Sequence, residues 1–485
     1  MSLLSEYPAA LLRREFFAGL VVALALIPEA ISFSIIAGLD PKVGLFASAT
    51  MAVTIAFTGG RPAMISAATG SVALVLAPLS HAHGLPYVVA AVVLGGLIQV
   101  GLALAGIAAL MRYIPRSVMV GFVNSLAILI FHAQLVHLVD VPWAVYPLLA
   151  LGLLIMVGLP RLSPAVPAPL VAIGVVTAIA WGLHVAVPTV GDEGALPTSL
   201  PVPGLPDVPF TLDSLRLVLP TAVAVALVGL LESLLTAKLV DDVTETRSDK
   251  TRESWGQGVA NVVTGFFGGM GGCAMIGQTM INVKVSGART RLSTFLAGAL
   301  LLALVLPAGP LVSRIPMAAL VAVMVLVSVA TFDWHSVAPA TLRRMPRSET
   351  SVMVVTVAVV LATSNLAYGV IAGVLVASVL FARRVAHLVE VVPSAVEDGT
   401  RRYAVRGQVF FASSNDLVEQ FDYAGDPACV VVDFSGAHVW DASSVAAMDA
   451  VAARYARHGT TVEFVGLNDD SARRHERLAG QLNVS

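Results

Sequence analysis

Two carboxyls stand inside apolar runs of this 485-residue chain. Glu29 lies in Leu26-Ile27-Pro28-Glu29-Ala30-Ile31-Ser32-Phe33-Ser34, directly after a proline, and Glu232 lies in Val228-Gly229-Leu230-Leu231-Glu232-Ser233. A charge at mid-bilayer costs at least about 2.5 kcal/mol even on the lenient insertion scale, so each acid needs a partner, water or a proton. Pro28 removes a backbone donor and opens the helix locally, which suits a proton-coupling group at Glu29, the plainer reading being a structural acid bonded to neighbouring backbone. A bound anion nearby would favour the protonated acid, so anion and proton would promote each other's binding, which is symport written as linkage. Glu232 has two readings: a second proton-coupling acid, or a structural acid that accepts backbone amide bonds.

Two glycine-rich stretches accompany the acids. Gly59-Gly60-Arg61-Pro62-Ala63-Met64-Ile65-Ser66 and Gly268-Gly269-Met270-Gly271-Gly272-Cys273-Ala274-Met275-Ile276-Gly277 share an Ala-Met-Ile triplet, 211 positions apart (274 minus 63). Glu29 and Glu232 are 203 positions apart (232 minus 29). Matching breaks in two halves are the mark of repeat-built transporters. Glycine and proline at membrane depth are tolerated where protein or a water-filled cavity covers the backbone. Both stretches are therefore expected to enter the bilayer extended and to turn helical near its middle. Facing helix N-termini carry free amides and partial positive charge, which makes an anion site without a buried cation. The plainer reading is that these glycines only let helices pack closely.

The elements that must position these groups are membrane helices. The chain is 57% hydrophobic and 12% charged, with mean hydropathy +0.85 and net charge −2. That excludes a string of ordinary soluble domains, a disordered chain and a nucleic-acid binder. Apolar runs predict fourteen segments: 16–37, 43–58, 65–79, 85–110, 117–138, 143–159 and 168–187, then 215–239, 254–268, 273–285, 292–310, 315–333, 349–364 and 366–382. Seven is odd, so the second set is inverted relative to the first. Repeat one spans about 10–187, a proline-rich acidic external loop 188–214, and repeat two about 215–385. The first run is too long for a signal core and reads as a helix. Arg61, Arg112, Arg116, Arg161, Lys250, Arg289, Arg343 and Arg383 fall on one side of this plan, which places both termini in the cytoplasm of a multi-pass inner (plasma) membrane protein. Arg61 is expected at the cytosolic approach rather than on substrate. Cys273 and Cys429 are expected as free thiols. His81, His83, His132, His137 and His184 have no metal-ligand spacing. No phosphate-binding loop or nucleophile elbow is present, so no enzyme, cofactor or metal reading has residues behind it.

Segment one, Pro28-Glu29-Ala30-Ile31-Ser32-Phe33-Ser34 followed by Gly38-Leu39-Asp40-Pro41-Lys42-Val43-Gly44-Leu45-Phe46, resembles the signature of the sulfate permease (SulP) family of anion transporters. Ser286-Gly287-Ala288-Arg289-Thr290-Arg291-Leu292-Ser293 resembles that family's Gly-Gly-Arg-Thr-Arg-Leu stretch. The resemblance covers essentially the whole chain. It implies an all-α membrane domain (1–390) of fourteen segments in a seven-plus-seven inverted repeat, divided into core and gate, and usually a homodimer. Substrate would lie between segments one, three and ten, on Glu29, Phe33, Thr69, Gly70, Ser71, Val72, Gly277, Gln278 and Thr279. Many relatives have Gln where this chain has Glu29, and an Arg near the position of Thr279.

From about 391 to 485 the pattern changes to short strands alternating with helices, an α/β module. Strands are expected at 400–413, 428–434 and 460–467, and helices at 414–423 and 442–458. Val432-Asp433-Phe434-Ser435 and Asp441-Ala442-Ser443-Ser444 resemble a cytosolic STAS domain, with Ser443 as a helix N-cap. The reading that follows is a secondary active transporter of small anions with an elevator-like movement, carrying protons with a dicarboxylate such as fumarate. Sulfate or bicarbonate transport or exchange, a nucleobase transporter of the same fold, and an anion channel are the alternatives. A membrane-anchored signalling protein is disfavoured by the paired half-helices.

Overall fold

The computed structural model describes residues 9–106, 109, 114–162, 168–386 and 389–481, so Arg112 lies outside the described residues. The chain divides into one compact unit ending at Val374 and a second beginning at Leu375.

Every one of the fourteen expected segments contains a helix. One set comprises α1 (Ala9–Ile36), α2 (Pro41–Thr58), α3 (Gly70–His83) and α4 (Leu85–Leu104), with α8 (Leu212–Thr244), α9 (Lys250–Phe266), α10 (Ile276–Met280) and α11 (Arg291–Val312). The other comprises α5 (Arg116–Gln134), α6 (Val145–Leu162), α7 (Ala168–Gly182), α12 (Met317–Thr331), α15 (Arg347–Thr363) and α16 (Leu366–Ala386). The short helices α13 (Trp334–Val337) and α14 (Pro339–Arg344) link α12 to α15. Among the described residues, α1, α2, α4, α5, α8, α11 and α16 are long and apolar enough to cross a bilayer, and α6, α7 and α12 are shorter apolar helices.

Packing follows the two sets. α1 packs on α2 and α11, α4 on α8 and α9, and α3 on α8; α5 packs on α12 and α15, and α6 on α7 and α12. The α4–α9 crossing is close because small residues meet there: a side chain on Gly96 would stand 2.6 Å from the Gly258 carbonyl oxygen, and one on Gly258 equally close to that of Gly96. Lipid gives helices no hydrophobic reason to associate, so such close backbone approach supplies the contact instead.

The second unit holds a four-stranded sheet in the order β3 (Glu390–Pro393), β4 (Thr400–Val409), β5 (Cys429–Val439), β6 (Thr461–Val465). The first pair is antiparallel and the other two parallel. Helices α17 (Ser414–Glu419), α18 (Ala442–Arg457) and α19 (Asp469–Leu478) accompany it. Tyr403, Val432, Phe434, Met448 and Tyr455 fill its core. Ser443 is not the cap of α18. Asp441 is, with its carboxylate accepting from the Ser444 amide at 2.9 Å. A carboxylate at that place also suits the positive end of the helix. Cys273 and Cys429 are both free thiols.

Candidate functional site

The site is built on a break in each half of the chain. Before α3, Ser66–Ala67 (β1) is extended, and before α10, Cys273–Ala274 (β2) is extended. The two pair antiparallel, Ser66 with Ala274 and Ala67 with Cys273, and the Met275 amide extends the pairing to the Ile65 carbonyl at 2.8 Å. Gly272 is required here, because any side chain on it would collide with the Ala67 carbonyl. α3 begins three residues past β1, and α10 begins two past β2 and continues as a π-helical turn over Ile281–Val285. Neither start is capped by a side chain: Thr69 and Met275 occupy the cap positions without making the cap bond. The first-turn amides, which have no partner within a helix, are left to whatever occupies the space in front of them.

That space is a cavity of about 410 Å³. Glu29 and Phe33 of α1, Thr69 and Gly70 at the start of α3, Glu232 of α8, and Gly277 and Gln278 of α10 line one side. Phe122 and Ile130 of α5, Met156 of α6 and Leu326 of α12 line the other. Its walls are therefore contributed by both helix sets. The lining residues include two carboxyls and no Lys, Arg or His. Glu29 is 8% exposed, and the Gln278 side chain reaches it. Gly277 faces open space, with no heavy atom within 4 Å of where a side chain would begin.

Sequence-predicted residues part company at this point. Glu29, Phe33, Thr69, Gly70, Gly277, Gln278 and Glu232 come together on the cavity. Ser71, Val72 and Thr279 are buried and do not line it. Ser71 donates its hydroxyl to Glu232, and the Cys273 thiol donates to the same carboxylate oxygen at 3.0 Å. Glu232 thus ties α8 to the start of α3 and to β2. Thr279 binds the backbone of Ile65, accepting from its amide at 3.0 Å. Arg61 is drawn off to the last turn of α8 and the residues just past it, with its guanidinium 3.0 Å from Asp241 and bonded to Thr244 and Thr246.

A polar face on α9 escaped the sequence reading. Glu253, Gln257, Asn261 and Thr264 are all fully buried. Glu253 accepts from the amides of Gly60 at 2.7 Å and Arg61 at 3.0 Å. Gln257 donates to the Ser66 hydroxyl. Asn261 accepts from the Gly272 amide at 2.9 Å and donates to its carbonyl at 3.1 Å. Thr264 meets Thr50 at 2.9 Å. One helix therefore holds both extended stretches. The spacing of four between Glu253, Gln257 and Asn261 puts them on one face, a signal that polar residues in an apolar segment make readable. Arg289 and Arg291 also gain roles. Arg291 donates to the Gly59 carbonyl at 2.6 Å near the end of α2, and buried Glu15 accepts from the Arg289 amide at 2.8 Å.

Comparison with known proteins follows the same lines. The model of the sulfate permease family matches residues 12–145 and 137–356, and that of the STAS domain matches 392–480. "Putative sulfate transporter YbaR" of Bacillus subtilis (strain 168) is 53% identical over 468 residues, covering 96% of this chain and 97% of its own. The transmembrane domain of a cyanobacterium bicarbonate transporter, BicA, is 25% identical with a TM-score of 0.66, covering 77% of this chain and 98% of that domain. The murine anion transporter Slc26a9 in its inward-facing state is similar in fold, with a TM-score of 0.84 at 16% identity, covering 98% of this chain and 89% of its own.

Proposed function

Because this chain belongs to the sulfate permease family of anion transporters and carries a STAS domain, we propose that it moves a small anion through the cavity between Glu29 and Gln278, in symport with protons carried by Glu29. One observation carries the reading. Two uncapped helix starts and a buried carboxyl line one cavity whose lining residues include no cation. The helix starts favour an anion, and a carboxylate beside it opposes one unless it takes a proton first. The proton is therefore the natural companion of the cargo.

Phe33, Thr69, Gly70, Gly277 and Gln278 are assigned to the substrate, with Ser71, Val72 and Thr279 behind them as the layer that holds the helix starts. Glu29 is the proton-coupling acid, and Glu232 fixes the frame. The mainly apolar far wall favours a small organic anion, a dicarboxylate such as fumarate, over a compact inorganic one. Sulfate and bicarbonate form a second reading, which the names of YbaR and BicA support. Our assignment has the chain as a seven-plus-seven inverted repeat of core against gate, moving as an elevator, with the membrane domain ending near residue 390. It places both termini in the cytoplasm of a plasma-membrane homodimer.

Uptake by purified protein in liposomes tests the proposal, with labelled fumarate, sulfate and bicarbonate, each with and without an inward proton gradient. Saturable uptake of one anion that rises with the gradient is expected. Gradient-independent flux would remove Glu29 from coupling and favour an exchanger or a channel.

A further inference from the structure

Acidic charge in the α7–α8 connector predicts a water-facing loop, and residues 200–212, where exposed Asp207 stands among exposed apolar side chains, depart from that in their apolar content. Leu200, Val202, Leu205, Phe210 and Leu212 are 61%, 78%, 75%, 94% and 62% exposed. Soluble surfaces rarely gather so much apolar area in one place. The segment is nonetheless held in position. The Gly204 amide donates to the Phe266 carbonyl at the end of α9 at 2.7 Å, and Thr211 caps α8 by accepting from the Ser214 amide at 3.2 Å. Pro201, Pro203, Pro206 and Pro209 stiffen what lies between.

Under this segment runs a groove of about 520 Å³, with Val93, Leu94 and Leu97 of α4, Leu215 of α8, and Pro206 and Phe210 of the connector among its walls. Its two hydroxyls, Thr211 and Ser214, bond each other at 3.0 Å, so no polar side chain is left to recognise a polar ligand. The volume falls in the roughly 300–1,000 Å³ range of ordinary ligand sites. The groove is continuous with a surface that faces the bilayer: Leu97, Leu215 and Leu219 are 55%, 45% and 41% exposed on helices that are long and apolar enough to span it. One residue past Leu215, on the first turns of α8, Arg216 is 3.8 Å from Asp213 and well exposed.

We propose that this groove holds one acyl chain of a bilayer phospholipid, with the connector wedged into the membrane as its roof and Arg216 at the headgroup phosphate. An apolar slot without a polar anchor suits a hydrocarbon chain, and the exposed guanidinium of Arg216, next in sequence to the lining residue Leu215, matches an anionic phosphate. Water in the same place would face apolar walls with nothing to bond.

The test uses the full chain in vesicles of phosphatidylglycerol and phosphatidylethanolamine, doped with a phospholipid carrying a photoactivatable acyl chain. Labelled peptides are then mapped by mass spectrometry. Adducts should be enriched several-fold on the peptides around Leu94 and Phe210 over those around Leu154 and Val354, which are 71% and 55% exposed on other helices. Leu94→Trp, which fills the groove, should bring the enrichment down, and Arg216→Gln should lower it for phosphatidylglycerol. Even labelling over all four peptides in the unaltered protein would overturn the proposal. So would cross-linking of two chains through Phe210→Cys with the groove peptides unlabelled, which would assign the groove to a second copy.

Discussion

The place of Glu29 on the cavity wall was legible because a carboxyl after proline in an apolar run has few explanations. Its consequence is testable: Glu29→Gln should abolish stimulation of uptake by a proton gradient while leaving anion binding largely intact, as read by titration of the purified protein at fixed pH. Persistent uphill uptake driven by pH would remove the assignment. Gly277 offers an independent check, since the space in front of it is empty. Gly277→Val should leave the melting temperature unchanged or slightly higher, because valine is a better helix former than glycine. It should weaken anion binding at least about tenfold, equivalent to about 1.4 kcal/mol. Gln278→Arg should shift preference toward divalent inorganic anions. Within the first turn of each half-helix the sequence identified the stretch but not the face. Successive residues point about 100° apart, and the Gly/Pro breaks carry no information on rotation. Hence Thr69 and Gly70 line the cavity while Ser71 and Val72 turn into the packing.

At the scale of elements, the extended stretches were readable from their glycines, and their register was not. Which residues of 59–67 meet which of 268–275 depends on α9, whose polar face determines where each stretch rests. Asn261 shows what is at stake. Asn261→Leu would strand the Gly272 amide and the Gln99 side-chain oxygen, which Asn261 now meets at 2.9 Å each. A buried polar group left unpaired costs about 1–3 kcal/mol, so the melting temperature in detergent should fall clearly. Anion affinity should fall with it. Asn261→Asp keeps the acceptor for Gly272 but sets an oxygen against the Gln99 and Gly272 oxygens that the amide now serves, so it should retain more of both only under conditions that protonate the carboxyl. If Asn261→Leu matched the parent protein in stability and affinity, α9 would be only one membrane helix among others.

Across the whole molecule, composition alone separated a membrane region from an α/β module, because lipid and water impose opposite demands on surface. It did not reveal what stabilises the second unit from within. Asp426, whose side chain is fully buried, accepts from the hydroxyls of Tyr403 and Tyr455 and pairs with Arg401 at 3.1 Å. Burial, followed by the neighbouring carboxylate, pushes both phenols up from their usual value. A phenol raised in the folded state contributes stability that is complete below its unfolded value, about 10, and is lost as pH climbs past it. Protection of the 389–481 amides, taken relative to the base-catalysed intrinsic exchange rate, should therefore fall above about pH 10, and less so in Tyr455→Phe. Asp426→Ala removes the shared acceptor and should destabilise this unit by about 3–5 kcal/mol, with faster exchange across β4, β5 and α18.

The two-residue pairing of Ser66–Ala67 with Cys273–Ala274 bears also on how the chain is made. Ser66 meets a partner synthesised 208 positions later (274 minus 66). At about 5–20 residues per second, the first stretch waits roughly ten to forty seconds for the second. Until then the backbone of residues 60–67 has no strand partner, for most of that time it also lacks the α9 side chains that bond it, and the membrane offers no water in their place. A nascent chain stalled before residue 273 should be exposed to membrane quality control, and the site can be completed only when nearly the last of its helices has been inserted.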